Sequence, residues 1–179
     1  MSWDRASAVV FTMILLITPG LLWAQDVPQV IKAMGPWEAD GVAYQIGAEK
    51  TLFVGKFSGI MVLEEKGEAF DAAEFTCPST QEVDYAAGRS KSSGYCIFDT
   101  SGANKVFAKW HCKGAIGECE GAMEFTAGTG GLEGIKGGGV MKIRSFFMDI
   151  SDTEEGEAMI DKAIGVVSWP ELQVELEGD

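Results

Sequence analysis

The chain is poor in positive charge, histidine and proline. It carries 14 Lys and Arg against 27 Asp and Glu, for a formal net charge of −13. Gripping a phosphate backbone needs clustered Lys and Arg, so the balance argues against nucleic acid as a partner. It argues equally against docking on anionic lipid heads. One histidine, His111, excludes any site that needs two, including HExxH zinc hydrolases and Cys2His2 fingers. No C-x2-C spacing, EF-hand loop or G-x-S-x-G elbow occurs. No metal and no cofactor are therefore expected. The apolar fraction of 46% is ordinary, and 179 residues suffice for one domain with a core.

The longest apolar run lies at the start. Ala8–Ile17 is apolar except for Thr12, Arg5 precedes it, and Pro19 and Gly20 break it before Leu22, Trp23 and Ala24. This is the charged, apolar and small-residue order of a secretory signal peptide, too short and too interrupted for a membrane span. The expected organisation is a signal peptide over 1–24 and a single domain over 25–179, with no membrane attachment after cleavage. The short apolar run, and an only asparagine (Asn104) outside any Asn-x-Ser/Thr motif, fit a bacterial periplasmic or secreted protein.

Four cysteines in an exported chain read as two disulfides. Val106, Ala108, Trp110 and Cys112 alternate on one segment, and Cys119, Gly121, Met123 and Phe125 on another. Folded as a hairpin through Gly114–Gly117, Cys112 faces Cys119, Trp110 faces Gly121, Lys113 meets Glu118 and His111 meets Glu120. Cys77 and Cys96 then pair by elimination.

Elsewhere period-two alternation predicts strands over Glu38–Ile46, Thr51–Glu64, Glu68–Cys77, Tyr95–Thr100, Gly137–Ile150 and Glu171–Glu177. The polar stretch Pro78–Gly94 reads as a long loop. Ser151 and Glu154 have capping-box spacing. Met159, Ile160, Ala163 and Ile164 then share a helical face ahead of Gly165, so a helix is expected there. The expected fold class is all-β: an antiparallel β-barrel of about eight strands with one short helix near the C-terminus. A β-sandwich is the alternative.

Seven of the twelve residues from Gly128 to Gly139 are glycine. They lack Gly-Lys-[Ser/Thr] and lead into a strand, so they are not a phosphate loop. The G-x3-G-I spacing of Gly55, Gly59 and Ile60 recurs at Gly130, Gly134 and Ile135, as if two bends of one barrel were related. Phe125-Thr126-Ala127-Gly128-Thr129-Gly130 with Gly134-Ile135 resembles a hairpin of the allene oxide cyclase and dirigent barrel superfamily. It also resembles exported bacterial proteins of unassigned role that carry a GTG-x3-GI pattern. An aromatic is usual where Leu132 stands. The resemblance implies an eight-stranded barrel and a homo-oligomer. It transfers no catalytic residue.

Tyr95, Trp110, Met123, Phe125 and Phe147 are the candidate ligand-lining residues, either packed core or the wall of an apolar cavity. His111 is expected on the surface. Asp149, Asp152, Glu154, Glu155 and Glu157 cluster, but helix capping accounts for part of the cluster. Three functions follow as expectations. One is an exported barrel binding a small apolar ligand or a partner protein without turnover. The second is a cyclase or isomerase acting on an apolar substrate inside the barrel. The third is a filled barrel that serves as an interaction protein.

Overall fold

The computed structural model describes residues 29–66, 70–101, 103–152 and 157–176. The expected signal peptide over 1–24 lies outside them. Eight antiparallel strands follow one another around a closed barrel: β1 (Gln29–Gly47), β2 (Lys50–Leu63), β3 (Ala72–Asp84), β4 (Arg89–Ser101), β5 (Asn104–Ala115), β6 (Glu118–Gly128), β7 (Lys136–Asp152) and β8 (Glu157–Glu175). Pairing of β8 with β1 closes the ring and leaves no free edge. The all-β barrel is therefore the fold, and the sandwich is not.

Alternation places one side of each strand inside. On β1 the inward set is Ile31, Ala33, Gly35, Trp37 and Ala39, all buried. This strand begins nine residues before the expected Glu38, because Gly35 and Pro36 conceal a sound alternation. Large inward rings lie over inward glycines of neighbouring strands. Trp37 is in register with both Gly59 and Gly165, and Trp110 with Gly94. A Cβ at Gly165 would collide with the Trp37 ring, and one at Gly59 would stand 2.7 Å from the Phe75 ring. Glycine thus supplies room for aromatics inside a narrow barrel.

Among the described residues no helix forms where one was expected. β7 continues to Asp152, residues 153–156 lie outside the described chain, and β8 begins at Glu157. The helix-like spacing comes from β-bulges. Ala39 pairs with Ala163 while Gly41 pairs with Ile160, and Ile31 pairs with Leu172 while Ala33 pairs with Trp169. Each time β8 spends three residues where β1 spends two. Inward positions three apart on a bulged strand imitate one face of a helix. Pro170, which has no N–H to give a ladder, falls inside the second of these bulges.

The expected loop 78–94 is a hairpin: β3 runs on to Asp84, residues 85–88 turn, and β4 starts at Arg89. Its inward residues include the buried serines Ser79, Ser90 and Ser92, so hydrophobic alternation is absent there.

Both disulfides form, Cys77–Cys96 and Cys112–Cys119. The β5–β6 register differs from the expected one by two residues. Cys112 lies opposite Gly121, Trp110 opposite Met123, Lys113 opposite Glu120 and His111 opposite Ala122. The turn has two residues, Ile116 and Gly117, with Gly117 at φ +88°. A slip of two preserves every facing, and the cysteines still bridge with Cα atoms 5.6 Å apart.

The two barrel ends differ. At the base, the β6–β7 connection folds inward as a 3-10 turn, Gly130–Leu132, and buries Leu132 and Ile135 under the barrel. Side chains pin it to the β4–β5 turn. Thr129 Oγ1 accepts from Lys105 N–H at 3.0 Å and donates to the Ala103 carbonyl at 2.9 Å. Gly131 N–H donates to Asn104 Oδ1 at 3.0 Å, an approach that Gly130, at φ +61°, makes possible. This plug is the GTG-x3-GI segment. Gly55 and Gly59 instead belong to β2, so the two G-x3-G-I spacings are unrelated in structure. Above the plug, Phe75, Phe98 and Trp169 pack with ring centroids 5.9–6.4 Å apart. The two edge-to-face pairs that Trp169 makes contribute about 0.5–1.5 kcal/mol each beyond area burial.

Candidate functional site

Among the described residues the opposite end is open. Here the β1–β2 turn, the β3–β4 turn, the start of β6 and the facing ends of β7 and β8 surround the mouth of a cavity of about 420 Å³. That lies in the range of small-molecule sites. The space exists because the wall facing it is built of small residues. Ala39 is paired with Ala163 and Ala43 with Ala158 across β1 and β8, and all four line the cavity.

Trp37, Phe57 and Trp110 make the floor. Phe57 meets Trp37 edge-on with centroids 5.1 Å apart, and Trp110 with centroids 6.0 Å apart. Phe53 joins Phe57 at 6.0 Å. Below these rings a void of about 30 Å³ separates the floor from Phe75, Phe98 and Trp169. Ile143, Ile160 and Val83 continue the apolar wall.

Polar groups sit higher. Gln45, Thr51, Gln81, Tyr85, Ser92 and Ser145 line the upper wall, and Glu49, Lys50 and Glu157 reach the rim. Ser92 Oγ and the indole nitrogens of Trp37 and Trp110 are buried without a hydrogen-bond partner in the protein. The indoles have phenyl rings for neighbours, which offer at most a weak π acceptor. At the rim Lys50 Nζ lies 3.0 Å from Asp84 and 3.9 Å from Glu82. Tyr85 N–H donates to the Glu49 carbonyl at 2.9 Å, tying the β3–β4 turn to the β1–β2 turn. Asp84 also accepts the Ala87 N–H at 2.9 Å. That backbone hydrogen bond, then the one from Lys50, holds the Asp84 carboxyl below its ordinary range. Its hydrogen bond to Asp84 raises the Lys50 ammonium.

Of the five residues expected to line a cavity, Trp110 does so. Met123 and Phe125 are buried in the packed lower half, 2% and 6% exposed, and form core. Tyr95 and Phe147 project outside, 66% and 52% exposed, so neither lines the barrel. On β4 the inward residues include Ser90, Ser92, Gly94, Cys96 and Phe98, which turns Tyr95 out. On β7 a bulge between Ser145 and Phe147 reverses the facing, turning Phe147 out and placing Met148 at the mouth. His111 is exposed, as expected. Among the described residues no group of His, Cys, Asp or Glu is placed to hold a metal ion. The sequence reading missed Trp37, Phe53 and Phe57. Continuing the alternation of Trp37 and Ala39 back through Pro36 would have found the first of them.

Fold and site together define a class: a one-ended antiparallel barrel, plugged at the base, with an aromatic-floored cavity at the mouth. No family model matches the chain, and no curated protein matches it. Among solved structures it is similar to a protein of unknown function from the DUF3224 family of Shewanella oneidensis MR-1. The identity is 13% and the TM-score 0.48, over 84% of this chain and 100% of that one.

Proposed function

We propose that this protein is an exported binding module that takes a small, largely apolar molecule through the barrel mouth and holds it without turnover. The observation that carries the reading is the cavity of about 420 Å³, closed below by Trp37, Phe57 and Trp110 and open at one end. The walls beneath the rim offer rings, alkyl groups, hydroxyls and amides, which bind and orient. The charged groups lining the cavity, Glu49, Lys50 and Glu157, stand at the mouth and away from the floor. Two disulfides belong to an oxidising compartment. With the leader pattern over 1–24 they support export to a periplasm or medium. The base plug, built from the GTG-x3-GI segment, supports kinship with the allene oxide cyclase and dirigent-type barrels as a further proposal.

The test is native mass spectrometry of protein purified from the exported fraction, followed by organic extraction. A co-purifying small molecule at one per barrel is expected. Its loss in Ala39→Trp, which fills the cavity from β1, would place it inside. A ligand retained unchanged by a folded Ala39→Trp protein would overturn the reading.

A further inference from the structure

We infer that the ligand is an amphiphilic organic cation, with its apolar body in the cavity and an ammonium-type head at the mouth. The inference rests on the cavity being a ligand site. Its basis is how charge is distributed along the cavity axis. Two carboxylates, Glu49 and Glu157, line the mouth. Among the described residues the one cation lining it is Lys50, which faces Asp84 at 3.0 Å and Glu82 at 3.9 Å. Asp84 and Glu82 together outweigh it, so with Glu49 beside them the described opening presents net negative charge. A mouth with low-dielectric walls focuses that field on whatever enters.

Deeper down, the described lining of the cavity offers no charge. Trp37, Phe53, Phe57, Trp110 and Ile143 would leave an ionised head unsolvated, so a charged group stays at the rim. The aromatic floor accepts an alkyl chain or ring system, and its π faces repel anions. An anionic amphiphile, such as a fatty-acid carboxylate, would meet the rim carboxylates head-on. A neutral one would gain nothing from them. A cationic head gains at the mouth while its apolar body gains below.

The test uses three probes that share one tail: octylamine, 1-octanol and octanoate. Each is titrated calorimetrically into the protein at neutral pH and low ionic strength. The indole N–H resonances of Trp37 and Trp110 are followed in parallel. Octylamine is expected to bind at least about tenfold more tightly than octanoate, with octanol between them. The gap should close near 1 M salt, where screening acts within about 3 Å. It should also narrow in the Glu49→Gln, Glu157→Gln double variant. Octylamine should shift the Trp37 and Trp110 resonances, which report on the floor whether or not a cavity-filled variant folds. Ala43→Trp should abolish binding of all three probes.

Equal affinities, or tighter binding of octanoate, would overturn the cationic head and leave the cavity as a ligand site. Octylamine binding that leaves both indole resonances in place would mean collection on the acidic outer surface, and would also overturn it. Failure of all three tails to bind would count against the binding module itself.

Discussion

Asp84 is a small residue with a large share of the mouth. It accepts the Ala87 N–H that shapes the β3–β4 turn and takes Lys50 from the β1–β2 turn, so one carboxylate fastens two turns together. Its folded pKa is lowered, so its contribution is complete above the ordinary carboxylate range and is lost as pH falls through the folded value. Lys50 is raised, so its contribution is complete below the ordinary lysine value and is lost as pH rises past the folded one. The latch is accordingly closed from mildly acid to mildly alkaline conditions and opens first in acid, below the ordinary carboxylate range. Asp84→Ala should reproduce the acid state at neutral pH. Amide exchange at Tyr85 and Ala87 should quicken in both cases, while exchange at Phe98 and Val106, deep in the packed half, stays unchanged. Equal quickening throughout would show that Asp84 supports the whole fold and not the mouth alone.

The behaviour of an element depends on which partner a strand offers each side chain. Gly165 on β8 leaves the place that the Trp37 ring fills. Gly165→Ala should therefore cost about 1–3 kcal/mol by overpacking, read as a lowered urea midpoint with the slope unchanged. An equal alanine substitution at Gly88, where a Cβ meets nothing but φ is +62°, tests backbone conformation without packing. This dependence on partners also decides what could be read from the sequence. Alternation was legible where the inside is packed and the strand is regular, as on β5 and β6, where faces and disulfide partners both emerge. It failed at 78–94, because the inward residues there include the serines Ser79, Ser90 and Ser92 and leave no apolar rhythm. It misled at 159–164, where a bulge gives β8 inward residues three apart. The same cause misplaced Phe147, one residue beyond a bulge on β7. Parity along a strand is a local property. Register and bulges are settled by the neighbouring strand, which a single sequence does not display.

For the molecule as a whole, the two bridges act on the unfolded chain. Cys77 and Cys96 are directly opposed on β3 and β4, 19 residues apart in sequence, and both are buried. Removing that bridge as Cys77→Ser with Cys96→Ser should lower stability by on the order of 3 kcal/mol, by the loop-closure account. The Cys112–Cys119 bridge closes a separation of only 7 residues and should matter less. Comparing chemical denaturation of the two double variants with the wild type tests the order. A larger loss at Cys112 and Cys119 would show that the mouth hairpin, and not chain entropy, is what the bridges protect.

The strands run so that β1 starts and β8 finishes at the plugged end, where Gln29 pairs with Val174. Both ends of the described chain therefore leave the barrel at its foot. A surface, a bead or a fused domain joined to the chain before Gln29 or after Glu175 attaches on the side away from the opening. A protein immobilised through either end should keep its lip turned outward to the surrounding fluid.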